Sequence, residues 1–265
     1  MEELKEKVRQ ALEDGTISAF LGLKNEDGRI SPFLVTRDNL PELEFLTLED
    51  EHYPLAKVLA RIGAKHPDDT LGVMVRGCDE KAIVELCKAK QLDEEKIVKF
   101  GVACNQQLAE KCRCAVPYPS QIDVGDRAEG VTDEELLSRI EQMGADDRLS
   151  FWMDQFGKCI KCFGCRNICP VCYCRECALE DKLLVRGGRV PPDIPVFHLI
   201  KACHMMERCI DCGLCEQACP VGIPLRTIYR KMGQVMAELF DYLPGRAVEE
   251  MSPLAALGEE SKLTI

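Results

Sequence analysis

The sequence predicts an α+β protein: an N-terminal α/β domain with parallel strands, followed by a helical domain built around cysteine. Two observations carry this expectation. Across residues 1–145, short apolar runs alternate with amphipathic helical stretches, the order that builds a parallel sheet. Beyond residue 145 one cysteine spacing occurs twice, flanked by helical patterns. The expected division is a first domain over 1–145, a second over 146–241 with an insertion at 170–208, and a tail over 242–265.

The elements follow in chain order. Leu4, Val8, Ala11 and Leu12 share one face of a helix over Glu2 to Glu13. Ile17 to Leu23 and Ile30 to Val35 read as strands, with Asn25 to Gly28 as the turn between them. Pro32 suits an edge position in the second strand. Tyr53 to Ile62 reads as a helix and Thr70 to Val75 as a buried strand. After the break at Gly77, a helix over Asp79 to Ala89 turns Ala82, Ile83, Leu86 and Cys87 inward. Ile97 to Ala103 is a further buried strand, and residues 104–131 read as a long loop.

A capping box, Thr132-Asp133-Glu134-Glu135, opens a helix that runs to about Met143. The next helix, Asp147 to Phe156, carries a predicted core stripe of Leu149, Trp152, Met153 and Phe156. Gly187-Gly188 and Pro191-Pro192 mark a loop, and Pro195 to Met206 resumes as a helix. A long amphipathic face follows, carried by Leu225, Ile228, Tyr229, Met232, Val235, Met236 and Leu239. The chain beyond Tyr242 is expected to be an exposed extension or a docking arm.

Composition narrows the function classes. Of 265 residues 46% are hydrophobic and 30% charged, the balance of a globular chain. A net charge of −11 argues against a nucleic-acid partner. No apolar run approaches the roughly 20 residues that cross a bilayer, so no membrane partner is expected. Met1-Glu2-Glu3-Leu4-Lys5 lacks the basic start and apolar core of a signal peptide, and a cytoplasmic location is expected. Cytosolic thiols stay reduced, so 17 cysteines, an odd number, point to metal or cluster ligation rather than disulfides.

The repeated spacing specifies the cofactor. Cys159-x2-Cys162-x2-Cys165-x3-Cys169-Pro170 recurs as Cys209-x2-Cys212-x2-Cys215-x3-Cys219-Pro220. A 4Fe-4S cube takes four thiolates; x2 spacing curls three of them around one corner, and the last cysteine of each run ligates the other cluster. The expected sets are therefore Cys159, Cys162, Cys165 and Cys219 for one cluster, and Cys209, Cys212, Cys215 and Cys169 for the other. Zinc sites favour two x2 pairs across a longer gap, a different pattern. Crossed ligation draws the two blocks into a two-cluster ferredoxin-like helical domain and leaves 170–208 as an insertion.

The other cysteines form two groups. Cys172, Cys174 and Cys177 follow the first motif closely and are candidates for part of another metal site, completed by Cys203, His204 or a residue of the N-terminal half. The alternative for Cys203 is simple burial in its helix. Cys78 and Cys104 lie just past the carboxyl ends of two predicted strands, the edge where parallel sheets bind ligands. Cys112 and Cys114 lie in the loop leaving that edge. These four are candidates for a third cluster or a zinc site, against the alternative of ordinary buried thiols, and Cys87 reads as core. His52, His66, His198 and His204 are not spaced as a site and read as solvated or packed. No Walker loop and no G-x-G-x-x-G motif occurs, and no catalytic residue is assigned.

The run from Thr70 to Ala82, with Val84-Glu85-Leu86 and later Phe100-Gly-Val-Ala-Cys104, resembles the beta-subunit family of coenzyme F-420 (deazaflavin) hydrogenases and dehydrogenases. Phe151 to Cys174, and Phe197 through His204 to Cys215, resemble the iron–sulfur portion of its formate-dehydrogenase-type members. The likeness covers roughly residues 53–225. It implies a non-catalytic electron-transfer subunit of a cytoplasmic oxidoreductase complex. Implied partners are a flavoprotein, a hydrogenase or formate dehydrogenase, or a heterodisulfide-reductase-like assembly, with electrons relayed between a flavin and a partner redox centre. Two departures stand out: the cluster motifs follow the α/β domain rather than precede it, and no residue for FAD is assignable. The alternatives are a flavin- or deazaflavin-dependent reductase subunit and a non-enzymatic cluster sensor or scaffold.

Overall fold

In the N-terminal unit, a helix α1 (Glu2–Glu13) seats Leu4, Val8 and Leu12, all fully buried, one turn apart on one face. A hairpin of β1 (Ala19–Glu26) and β2 (Arg29–Val35) follows. Its turn places Asp27 and Gly28 at φ 52° and 77°, and the Gly28 amide donates to Asn25 Oδ1 at 3.0 Å. A short 3-10 segment (Arg37–Phe45) leads to α2 (Leu55–Gly63), β3 (Leu71–Val75), α3 (Gly77–Lys88), β4 (Ile97–Gly101) and α4 (Gln106–Cys112). The computed structural model describes residues 1–49, 51–132, 134–193 and 195–254.

The four strands run in the order β2-β1-β3-β4. β1, β3 and β4 are parallel, and β2 lies antiparallel on the edge, where Pro32 was expected. Every residue of β3 is buried, as a strand covered on both faces requires. Phe20 and Phe100 meet edge to face across the sheet, with centroids 5.4 Å apart. The predicted alternation of strands and helices is therefore present. One expectation is corrected: the stretch read as a loop over 104–131 contains α4, opened by Asn105, whose Oδ1 accepts from the Leu108 amide at 2.8 Å.

The chain divides into two units, Met1–Thr132 and Asp133–Ile265, ahead of the boundary read at residue 145. The second unit is helical: α5 (Glu135–Glu141), α6 (Ala145–Gly157), α7 (Gly164–Asn167), α8 (Val196–Met205), α9 (Leu214–Gln217) and α10 (Leu225–Phe240). The capping box read at Thr132 includes Asp133, which lies outside the described residues. α5 opens at Glu135 with Glu134 as its cap residue and no side-chain cap bond.

The stripe read on α6 is also corrected. Phe156 alone among its four residues is buried, while Leu149 is 58% exposed. Phe156 stacks on His198 of α8 at 4.4 Å. After α10, the described residues 243–254 are all exposed or half-buried. Tyr242 is buried, and its hydroxyl donates to the Glu207 carbonyl at 2.9 Å. Ser252 Oγ also bonds Glu207, and residues 255–265 lie outside the described residues. Among the described residues no helix is long and apolar enough to cross a membrane.

Candidate metal centre

The two cysteine blocks fold as copies of one loop. In the first, Lys161 and Phe163 adopt φ of 56° and 58°; at the matching positions of the second, Asp211 and Gly213 adopt 55° and 78°. These left-handed residues turn the backbone so that amides face sulfur. The Lys161 amide approaches Cys159 Sγ at 3.4 Å, and the Gly164 amide approaches Cys162 Sγ at 3.4 Å. The Ile223 amide does the same to Cys219 Sγ at 3.4 Å. Each loop runs into one turn of helix, α7 or α9, that carries the third cysteine, and the two turns pack together. After each Cys-Pro-Val the chain folds back: the Cys172 amide donates to the Cys169 carbonyl, and the Gly222 amide to the Cys219 carbonyl.

The blocks interlock. A Cβ on Gly164 of the first block would stand 3.2 Å from the Ala218 carbonyl, one residue before Cys219. Cys159 has Cys162 and Cys219 as charge neighbours, and Cys165 has Cys159, Cys162 and Cys219. Cys209 has Cys169 as a neighbour, and Cys215 has both Cys209 and Cys169. A single cavity is lined by Cys169 together with Cys209, Cys212 and Cys215.

The cavity's apolar lining, Val171, Met205, Ile210 and Tyr229, is joined by two buried cations, Lys201 and Arg226, the latter paired with Asp211. Burial pushes Cys165 up to about 11 and Cys209 up to about 12, and it holds Cys215 well above the usual thiol range. Lys201 of α8 also lines the cavity and is 3% exposed. Burial opposes its charge, but the thiols of Cys169 and Cys165, followed by Cys172 and Cys215, outweigh burial and raise its pKa. Its Nζ lies 5.9 Å from the Tyr229 ring centre. The Tyr229 hydroxyl, also buried, has no hydrogen-bond partner. His198 is a packed ring: burial lowers it to about 4, and neither ring nitrogen has a partner.

Each cysteine of the trio in the insertion has a different cation as its neighbour. Cys172 lies near Lys201, Cys174 near Arg208 and Cys177 against Arg166. Cys203 and His204 are exposed, so the reading of Cys203 as buried is corrected.

In the N-terminal unit the carboxyl edge of the sheet gathers thiols. Cys78 sits in the first turn of α3, Cys104 just beyond β4, and Cys112 and Cys114 at and after the end of α4. Sequence reasoning missed His52. It arrives from the irregular stretch before α2 and places Nε2 3.3 Å from Cys78 Sγ and Nδ1 4.0 Å from Cys112 Sγ. Arg76 holds it there by donating to the Glu51 carbonyl at 2.5 Å and the Glu49 carbonyl at 3.0 Å. Among the described residues no three His, Cys, Asp or Glu side chains close around a single ion.

This architecture defines an iron–sulfur protein: residues 202–224 match the family model described as a 4Fe-4S binding domain. The chain is further similar to two curated beta subunits. One, the F420-dependent formate dehydrogenase subunit beta of Methanocaldococcus jannaschii, is 41% identical over 132 residues, which are 49% of this chain and 35% of the relative. The other, the F420-dependent formate dehydrogenase 1 subunit beta of Methanococcus maripaludis, is 34% identical over 191 residues, 71% of this chain and 46% of the relative. The beta-subunit-like resemblance read from the sequence is thereby shown. The chain spans less than half the length of the curated relatives it matches.

Proposed function

We propose that this chain is a cytoplasmic electron-transfer subunit of an oxidoreductase complex, holding two 4Fe-4S clusters with crossed ligands. Cys159, Cys162, Cys165 and Cys219 hold the first, and Cys209, Cys212, Cys215 and Cys169 the second. The observation that carries this reading is the cavity lined by three cysteines of one block and Cys169 of the other.

The residues fit the group. Ligation requires thiolates, and buried thiolates need positive charge. Lys201 and the Asp211-paired Arg226 are the cations beside these thiols; iron supplies the remainder. Backbone amides aimed at sulfur stabilise ligand charge and tune the potential. Once bound, the clusters supply one-electron transfer. Tyr229 and Met205, both buried and lining the cavity, keep water from it. The names of the relatives support a formate-dehydrogenase-type complex as the setting. The relay then runs between a flavin on one partner and a redox centre on another.

Anaerobic reconstitution with iron and sulfide is expected to give at least about eight irons per chain, two cubes of four. A count near half of that overturns the two-cluster reading. Co-purification with a flavoprotein or a formate dehydrogenase subunit tests the relay. FAD released from the isolated chain on denaturation would favour a flavin-dependent reductase instead.

A further inference from the structure

Keeping water from the cavity needs only the ring of Tyr229 and leaves its hydroxyl unexplained. The residue is 3% exposed, and its oxygen is buried without a hydrogen-bond partner. Burying a hydroxyl in that condition costs free energy, and such groups in folded proteins are either partnered or mark a function.

The helix that carries Tyr229 fixes where it points. On α10, Arg226, Tyr229 and Arg230 are three and four residues apart and share one face. Arg226 and Arg230 both reach Asp211 inside the second cysteine loop, which sets the rotation of α10 against that loop. Tyr229 between them faces the cavity lined by Cys169, Cys209, Cys212 and Cys215. Its charge neighbours there are Cys215 first, then Cys165, Cys169 and Cys209. All but Cys165 belong to the second ligand set.

The cavity wall restricts what can accept the phenol proton. Lys201 and Arg226 only donate. The Asp211 carboxylate is taken up by Arg226 and Arg230. The remaining wall side chains are apolar or carry sulfur, so sulfur is the acceptor left to the hydroxyl. A 4Fe-4S cube seated on these thiolates adds inorganic sulfides inside the same wall. The first block offers no equivalent: buried Leu179 stands as far beyond Cys169 as Tyr229 stands beyond Cys219.

We infer that the Tyr229 hydroxyl donates a hydrogen bond to a sulfur of the second 4Fe-4S cluster, the one held by Cys209, Cys212, Cys215 and Cys169, and thereby raises its reduction potential. This hydrogen bond presupposes the two crossed clusters proposed above. A donor at sulfur draws charge from the cube and favours its reduced, more negative state.

The test compares full-length wild type with Tyr229→Phe, both reconstituted anaerobically with iron and sulfide. Phenylalanine keeps the ring that closes the cavity and removes only the oxygen, so the variant should bind as many irons as wild type. Redox titration read by electron paramagnetic resonance should show one signal moved to lower potential, the signal that Cys212→Ala removes. Electron–nuclear double resonance on that signal, in ordinary and in deuterated water, should show one exchangeable-proton coupling in wild type that the variant lacks. A packing role would move neither readout, because the ring is retained.

Unchanged potentials with the coupling retained overturn the hydrogen bond and leave the relay standing. A shift confined to the signal that Cys162→Ala removes also overturns it, because the hydroxyl then serves the first cluster. Loss of iron from Tyr229→Phe overturns it too, by making the hydroxyl a requirement for binding. If instead Cys212→Ala loses no iron, the two-cluster reading falls first and the hydrogen bond falls with it.

Discussion

The two cysteine blocks share a backbone and differ in what grips it. At the matching position of each loop, the first block has Lys161 and the second Asp211. Lys161 reaches outward to the Arg186 carbonyl at 2.7 Å, an exposed bond. Asp211 receives Arg226 Nε at 2.5 Å and Arg230 Nε at 2.9 Å, which tie the second loop to α10. At the two middle ligands the first loop is the more open, with Cys162 exposed where Cys212 is half-buried and Cys165 half-buried where Cys215 is buried; the outer ligands run the other way, Cys159 and Cys169 being buried where Cys209 and Cys219 are half-buried. Around its middle ligands, then, the repeat offers one open loop and one enclosed loop. Backbone geometry follows the ligand spacing that both share, while burial follows the neighbours that only one has.

The largest expected effect concerns which loop owns which ligand. Under crossed ligation, Cys219→Ala removes the same cluster as Cys162→Ala, and Cys169→Ala the same cluster as Cys212→Ala. Each variant should lose about four irons, and the paramagnetic spectra should match within those pairs. If Cys219→Ala instead matches Cys212→Ala, each loop closes on its own cube and the blocks are independent.

Next in size is the grip itself. Arg226 has a side chain 5% exposed, whereas Asp211 is 37% exposed. Asp211→Ala leaves a buried guanidinium short of its partner, but Arg226 keeps the Asp211 carbonyl at 2.5 Å. A cost of about 2–3 kcal/mol is expected, below the roughly 3–5 kcal/mol of a fully buried pair. Lys161→Ala at the equivalent position should cost less than about 1 kcal/mol. Denaturant midpoints of the two reconstituted variants measure the contrast, and equal losses would show that the enclosure of the second loop does not rest on α10.

The cysteine pattern was legible because ligand spacing constrains the backbone directly, and the strands because buried parallel strands are unbroken apolar runs. What escaped depends on remote side chains. His52 comes from a stretch with no regular period, positioned by the Arg76 bonds to Glu49 and Glu51. Lys201 lies in the helix read over Pro195 to Met206 and was assigned no role there, yet it is buried beside thiols that no helical pattern places next to it. Leu149 and Phe156 share one periodic face of α6, but only Phe156 meets a neighbour, His198. Periodicity names a face and leaves open how far along it the packing extends. α4 was missed because it opens on Gln106-Gln107, polar residues inside a stretch rich in turn formers.

Lys201 tests whether the two loops share one electrostatic setting. Its raised pKa owes to Cys169 and Cys215 of the enclosed set and to Cys165 of the open one. Lys201→Met keeps the apolar stem and removes the charge. Both cluster potentials should fall, by roughly tens of millivolts, because a positive charge favours the reduced and more negative cube. Redox titration followed by paramagnetic resonance reads each cluster separately. A shift confined to one signal would assign the lysine to that loop alone.

The smallest effect lies at the position where the copies differ between Phe163 and Gly213. Phe163, at φ 58°, carries a left-handed strain of about 1–2 kcal/mol that Gly213 avoids. It offsets this with an edge contact to Phe197 at 5.7 Å and with Arg166 stacked 4.6 Å above its ring. Phe163→Gly removes both the strain and the contacts, so its midpoint should stay within about 1 kcal/mol of wild type. Gly213→Ala has no such balance. Its Cβ would stand 3.0 Å from Arg226 Nη1 and press on the guanidinium that holds Asp211. A loss of about 1–2 kcal/mol is expected from the left-handed geometry alone. If Phe163→Gly proves the costlier of the two, the open loop depends on its aromatic cover more than the enclosed loop depends on its arginine.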